Sequence, residues 1–147
     1  PVYGLDVSGA MKTLIDHLGF MWIPHRPNSK MFTKIGLVIS TAAGGGMRRT
    51  NKTMKNTLDY MGLKRTYTFG STVAASSWED VKDSRKRKIE KKLVKKADKY
   101  YKSIINKEKL KDRFFTKMFF LIMKPIISGY KDGNIDKEYW RNKGWIK

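Results

Sequence analysis

The chain has 147 residues, enough for one domain with a real core, and a formal net charge of +19. It contains no cysteine, which excludes a disulfide framework and any thiolate metal site and leaves the redox compartment undetermined. No apolar run reaches the roughly 18 residues of a membrane span and no signal peptide is visible, so the cytoplasm is the expected location.

The first sixteen residues open on Pro1-Val2-Tyr3-Gly4, a poor helix former in which Gly4 supplies backbone freedom. Ser8 precedes Met11, Leu14, Ile15 and Leu18, the i, i+3, i+4, i+7 spacing of one helix face, and is placed as its N-cap. The stretch predicts a loop feeding a helix N-terminus, whose unpaired N–H groups suit a polar or anionic group of a ligand. The apolar cluster Phe20–Ile23 ends at Pro24 and Pro27 and reads as the start of a loop. Lys34–Ser40 is apolar, β-branched and non-alternating, as in a strand buried on both faces of a parallel sheet. The small-residue run Thr41-Ala-Ala-Gly-Gly-Gly46 follows at once. Thr50–Met61 then carries Met54, Leu58 and Met61 at helical spacing, with Gly62 as a C-terminal stop, and Thr66–Gly70 alternates like a second strand. Together these elements predict a βαβ unit with its ligand crevice at the C-terminal ends of the strands, where the glycine loop lies. No Gly-Lys-Ser/Thr follows the glycines, so the loop is not a Walker motif.

Past Gly70 the composition shifts. Ser77 and Asp80 resemble a capping box, predicting a helix from there to about Asn106 with a stripe of Val81, Ile89, Leu93, Ala97, Tyr100 and Ile104. Residues 82–124 hold 17 Lys/Arg against 5 Asp/Glu, so most of the excess charge is local. A second helix begins around Phe114 and Phe115, and Pro125 is expected to stop it. The tail, Tyr139-Trp140-Arg-Asn-Lys-Gly144-Trp145, is aromatic and turn-rich.

Pro1-Val-Tyr-Gly, Ser8-Gly9-Ala10-Met11-Lys12 and Ile15-Asp16 together resemble the second flavin-contacting loop of the flavodoxin-like NADPH-dependent FMN reductases. There the pattern is S-P-V-Y, a short spacer, S-G-x-x-K and I-D-R; His17 stands where an arginine is common. The likeness covers about the first eighty residues and extends more loosely to the Tyr139–Trp145 ending. It implies a flavodoxin-like doubly wound parallel sheet, of which residues 1–75 form the C-terminal part. Basic helices over 76–124 would pack on the sheet or on a second subunit, and 125–147 would be an aromatic tail. Because the numbering opens on a proline in mid-motif, a longer natural chain is expected. Its earlier strands and phosphate-binding loop would precede Pro1, at about 30 residues per βαβ unit, and residues 1–147 alone, without that loop, are expected to bind flavin poorly and to be inactive.

The resemblance further implies an FMN-dependent oxidoreductase, with NADPH or NADH as co-substrate, a small-molecule electron acceptor and a homodimer whose aromatic tail reaches across the interface. The flavin would touch Pro1, Val2, Tyr3, Gly4, Ser8 and Lys12 from the first loop, and Thr41, Ala42, Ala43, Gly44 and Gly45 from the glycine loop. Each has a plainer reading. Tyr3 packs the helix entry, Lys12 is a solvated helix lysine, and three glycines make a turn. No side chain is required as acid, base or nucleophile, because the flavin carries the chemistry. His17 and His25, eight apart, lack the compact ligand pattern of a metal site. The basic run around Arg85–Lys88 is usually a solvated helix face. Its charge also suits an acidic partner, an anionic membrane surface or nucleic acid, and a non-enzymatic binding protein is the alternative function.

Overall fold

A computed structural model describes residues 1–147. The chain forms a mixed α/β structure with a two-stranded parallel sheet and five α-helices: α1 (Gly9–His17), β1 (Ile35–Ala42), α2 (Met47–Tyr60), β2 (Arg65–Thr72), α3 (Asp83–Ile105), α4 (Phe114–Ser128) and α5 (Ile135–Asn142). This architecture is consistent with a flavodoxin-like fold; two strands do not by themselves make the doubly wound sheet expected from the sequence. No helix is long and apolar enough to cross a membrane.

The strands pair in register from Ile35 opposite Arg65 to Ala42 opposite Thr72. Side chains alternate across the sheet. On one face Gly36 and Gly70 let α2 approach: a Cβ at Gly36 would sit 3.0 Å from Leu58 Cδ1, and one at Gly70 3.1 Å from Met47 Cβ. On the other face Tyr67 meets α3, its hydroxyl 2.5 Å from Ser103 Oγ and its ring edge-on to Tyr100 at 6.1 Å. Helix α2 covers one face, but α3 reaches only part of the other and leaves Ile39 58% exposed, so the strand expected to be buried on both faces is fully buried on one only.

Helix α2 ends where Gly62 was expected to stop it. Gly62 has φ +91°, its N–H donates to Asp59 O, and the Leu63 N–H returns to Leu58 O (3.2 Å). This is a Schellman closure, which satisfies carbonyls the helix leaves open. Phe32, from the 3-10 turn Ser29–Thr33, lies so close to Gly62 that a Cβ there would come within 2.4 Å of its ring.

Two boundaries and one burial pattern depart from the sequence reading. Ser77 and Asp80 do bond each other, Ser77 Oγ to Asp80 Oδ2 at 3.0 Å, but they close a turn, and α3 starts later, at Asp83. In α3 only Ser103 is buried and Lys86, Ile89, Lys96 and Tyr100 half-buried; Leu93, Ala97 and Ile104 of the expected stripe are exposed. Pro125 does not end α4, which continues to Ser128. The amide that proline lacks would have bonded Leu121, whose exposed turn leaves that carbonyl to water, while buried Met123 and Ile127 hold the helix on its inner side.

The aromatic tail, expected to reach across a subunit boundary, folds onto its own chain. Trp140 is fully buried, stacks on Phe120 at 4.5 Å, and donates from Nε1 to His25 O at 2.6 Å. Tyr139 donates to Pro27 O at 2.8 Å, and Asp136 pairs with His25 (3.0 Å) and Arg26 (3.2 Å). Buried Asp59, at the end of α2, accepts from Lys55 at 2.5 Å and faces Arg113 just ahead of α4. Trp140 thus joins the tail to the loop after α1, and truncating it leaves a large cavity. Trp140→Ala is expected to lower unfolding free energy by about 3–5 kcal/mol, read as a shift of the urea midpoint.

Candidate functional site

At the C-terminal end of β1 the chain bends through Ala43, Gly44 and Gly45 into α2. Beside it lies the N-terminal loop. Val2 N–H donates to Thr41 O at 2.8 Å. The bonds from Lys64 and Val73 to Lys34 and Ala42 show that even-numbered β1 residues serve β2, so Val2 occupies the opposite edge. Tyr3 and Asp6 exchange backbone bonds of 2.9 Å in each direction, closing a tight turn over Gly4 (φ +51°) and Leu5 (φ +66°). Positive φ at both central residues is the I′ turn. Leu5 has a Cβ and so bears a local cost of about 1–2 kcal/mol.

Two devices hold this turn against the glycine loop. Gly46 is the first. Its φ is +91°, and a Cβ there would come 2.6 Å from Val2 Cγ1 and 2.9 Å from Leu5 Cα. The second is Asp6. One carboxylate oxygen accepts from the Val7 N–H (2.8 Å) and the Thr53 hydroxyl (2.9 Å), and the other from Arg49 Nε (2.8 Å). A single side chain therefore pins the N-terminal loop to the first turns of α2. Partial burial acts to raise the Asp6 carboxyl, but the Val7 N–H, Thr53 and Arg49 outweigh it and hold it below the ordinary aspartate value.

The result is a set of backbone donors without acceptors. The amides of Gly4 and Leu5 on one loop, and of Ala43, Gly44, Gly45 and Gly46 on the other, make no internal hydrogen bond. Nothing lies within 4 Å of a Cβ built at Gly44 or Gly45, so their surface is open to close approach. Thr72 Oγ1 donates to Gly44 O at 3.2 Å and Val73 N–H to Ala42 O at 2.9 Å, which steadies the loop from β2. Tyr3 is 58% exposed at the rim.

Among the residues singled out from sequence, Pro1–Gly4 and Thr41–Gly45 come together in this way. Ser8 caps α1 as expected, accepting from the Met11 N–H at 3.2 Å. Lys12 stands on the exposed side of α1, its ammonium paired with Asp16 one turn on. Asp6, Arg49, Thr53 and Gly46 were not singled out. For Gly46, a third glycine directly before a helix start was the available signal. For Asp6, it was a lone acid inside an otherwise uncharged loop.

A small-residue loop and a neighbouring tight turn, both with free amides, lie at the C-terminal end of parallel strands, where open α/β sheets bind their ligands. The chain belongs to the NADPH-dependent FMN reductase family, whose model matches residues 1–80. No curated protein matches it. Membership implies FMN as cofactor and NADPH as reductant. The residues present suit a flavin's ring. Its carbonyl and ring-nitrogen edge needs N–H donors, and its flat face needs approach without side chains; the six free amides and the bare Gly44–Gly45 surface provide both.

The Asp6 anchor is ionised at neutral pH, and its lowered pKa sets the sign of its pH dependence. Its contribution is complete above the unfolded aspartate value, near 4, and is lost as pH falls through the folded value. The stability difference between wild type and Asp6→Asn should therefore be constant above pH 5 and close on acidification, as measured by urea unfolding at each pH.

Proposed function

We propose that this chain is an FMN-dependent NAD(P)H oxidoreductase that passes electrons to a small-molecule acceptor, with the flavin ring held between the Pro1–Gly4 and Thr41–Gly45 loops. One observation carries the reading: two loops far apart in sequence are held side by side, and six of their amides make no internal hydrogen bond. Gly4, Ala43, Gly44 and Gly45 would present N–H donors to the ring's polar edge. Thr41 and Ala42 end the strand beneath it, and Pro1, Val2 and Tyr3 form the opposing wall. Ser8 fixes the start of α1, and Lys12 adds positive charge on that side. When bound, FMN supplies hydride acceptance from the nicotinamide and onward electron transfer. The chain's own residues orient the ring and exclude water from one side of it.

Residues 1–75 act as the flavin-binding part, 76–124 as a basic helical part and 125–147 as a tail that braces both. A cytoplasmic homodimer accords with this reading. What supports a partner is the exposed apolar surface of α3 and α4, including Val94 (59%), Tyr101 (63%) and Leu121 (65%). A second reading rests on the same helices. Apolar residues set among exposed lysines suit an acidic partner, and binding of that kind falls steeply with salt, whereas flavin held by backbone contacts does not.

The test is FMN uptake by the full chain, followed by the visible flavin bands and their bleaching by NADPH. Tyr3→Ala with Gly45→Val should lower FMN affinity at least tenfold while leaving the far-ultraviolet circular dichroism unchanged, since Tyr3 is exposed and the Gly45 Cβ meets no atom. Full-length natural protein that takes up no FMN, or a double variant of it with unaltered affinity, overturns the reading.

A further inference from the structure

A second cavity lies at the opposite end of the strands. It has a volume of about 530 Å³, within the range of small-molecule sites. The 3-10 turn before β1, the segment between α2 and β2, one side of α4 and the C-terminal tail all contribute to it. Lys64, on its wall, precedes the first residue of β2, whereas the flavin loops follow the last residue of β1. Eight-residue strands at about 3.3 Å per residue separate the two places by roughly 25 Å.

Three rings line this cavity. Phe32 meets Phe120 edge-on (6.1 Å, 89°), Phe120 meets Trp145 edge-on (5.0 Å, 78°), and Phe32 and Trp145 are tilted at 6.2 Å. Such an arrangement offers both ring faces and ring edges to a further planar group. The charged lining is one-sided: Lys64, Arg113, Lys117 and Lys124 stand against the single acid Asp112. Asp112 is shared between Lys64 (3.5 Å) and Lys117 (3.2 Å), and Arg113 faces Asp59. Lys124 has no carboxylate partner and lies 5.8 Å from the Phe120 ring centre. The lining thus keeps a surplus of positive charge beside an aromatic wall, a combination that repels cations and rewards a ligand with a flat apolar body and one anionic group.

We propose that the cavity between Phe32, Phe120 and Trp145 is a binding site for a small aromatic carboxylate, with the ring against the three aromatic side chains and the carboxylate at Lys117 and Lys124. The assignment rests on shape and charge at this end of the molecule and is independent of the flavin reading. Carboxylate binding to paired cations adds charge-assisted hydrogen bonds to the apolar contact.

The probe is 2-naphthoate, titrated calorimetrically into the full-length chain. Saturable binding with one site per chain is expected. Lys117→Glu with Lys124→Glu should weaken it at least tenfold, whereas Lys91→Glu with Lys95→Glu, an equal charge change on exposed residues of α3, should leave affinity within twofold. The cationic analogue 2-naphthylmethylammonium should not bind. The proposal is overturned if naphthoate fails to saturate, if both double variants weaken it equally, or if the ammonium analogue binds as well as the carboxylate.

Discussion

The ligand end of this protein depends on one carboxylate. Asp6 lies in a loop with no secondary structure beyond its own turn, yet it bonds to Arg49 and Thr53 of α2 and to the Val7 amide. Without it, the only hydrogen bond left between this loop and the sheet would be Val2–Thr41, worth about 1 kcal/mol. With it, a turn that contains a left-handed leucine is kept in place beside the loop whose amides make no internal bond. Strain of this kind persists only where the surroundings over-determine it. Here the fit of Gly46 under Val2 and Leu5 provides that surplus.

The rest of the chain divides its labour around this end. The Schellman turn at Gly62 and the Trp140–Phe120 stack sit at the other end of the strands and supply packing. Helix α3 lies between these roles. It touches the sheet through Tyr100 and Ser103 but leaves Leu93, Val94 and Tyr101 exposed.

Local rules were legible in the sequence, and distant contacts were not. Ser8 announced α1, the apolar run from Lys34 announced β1, and Gly62 announced the end of α2, because caps, periodicity and positive φ are written within a few residues. The glycine loop and the Pro1–Gly4 loop were singled out through the family resemblance, and the family assignment agrees with the first eighty residues. The Asp6 anchor was missed because its partners lie 43 and 47 residues away. Ser77 misled because its side chain does form the expected bond, only in a turn ahead of the helix. Pro125 misled because a proline on the solvent side of a well-packed helix can be accommodated. The return of the tail onto His25 and Pro27 joins residues more than a hundred positions apart, beyond the reach of any local pattern.

A carboxylate that joins two loops into a flavin surface is the feature on which the proposed site rests. It is tested most directly by comparing FMN affinity in wild type and Asp6→Ala, using the quenching of flavin fluorescence, with tryptophan emission as the check that the tail remains packed. The account predicts at least a tenfold loss of affinity with unchanged tryptophan emission. Equal affinity in the two proteins would show that the loops need no such anchor, and would contradict it.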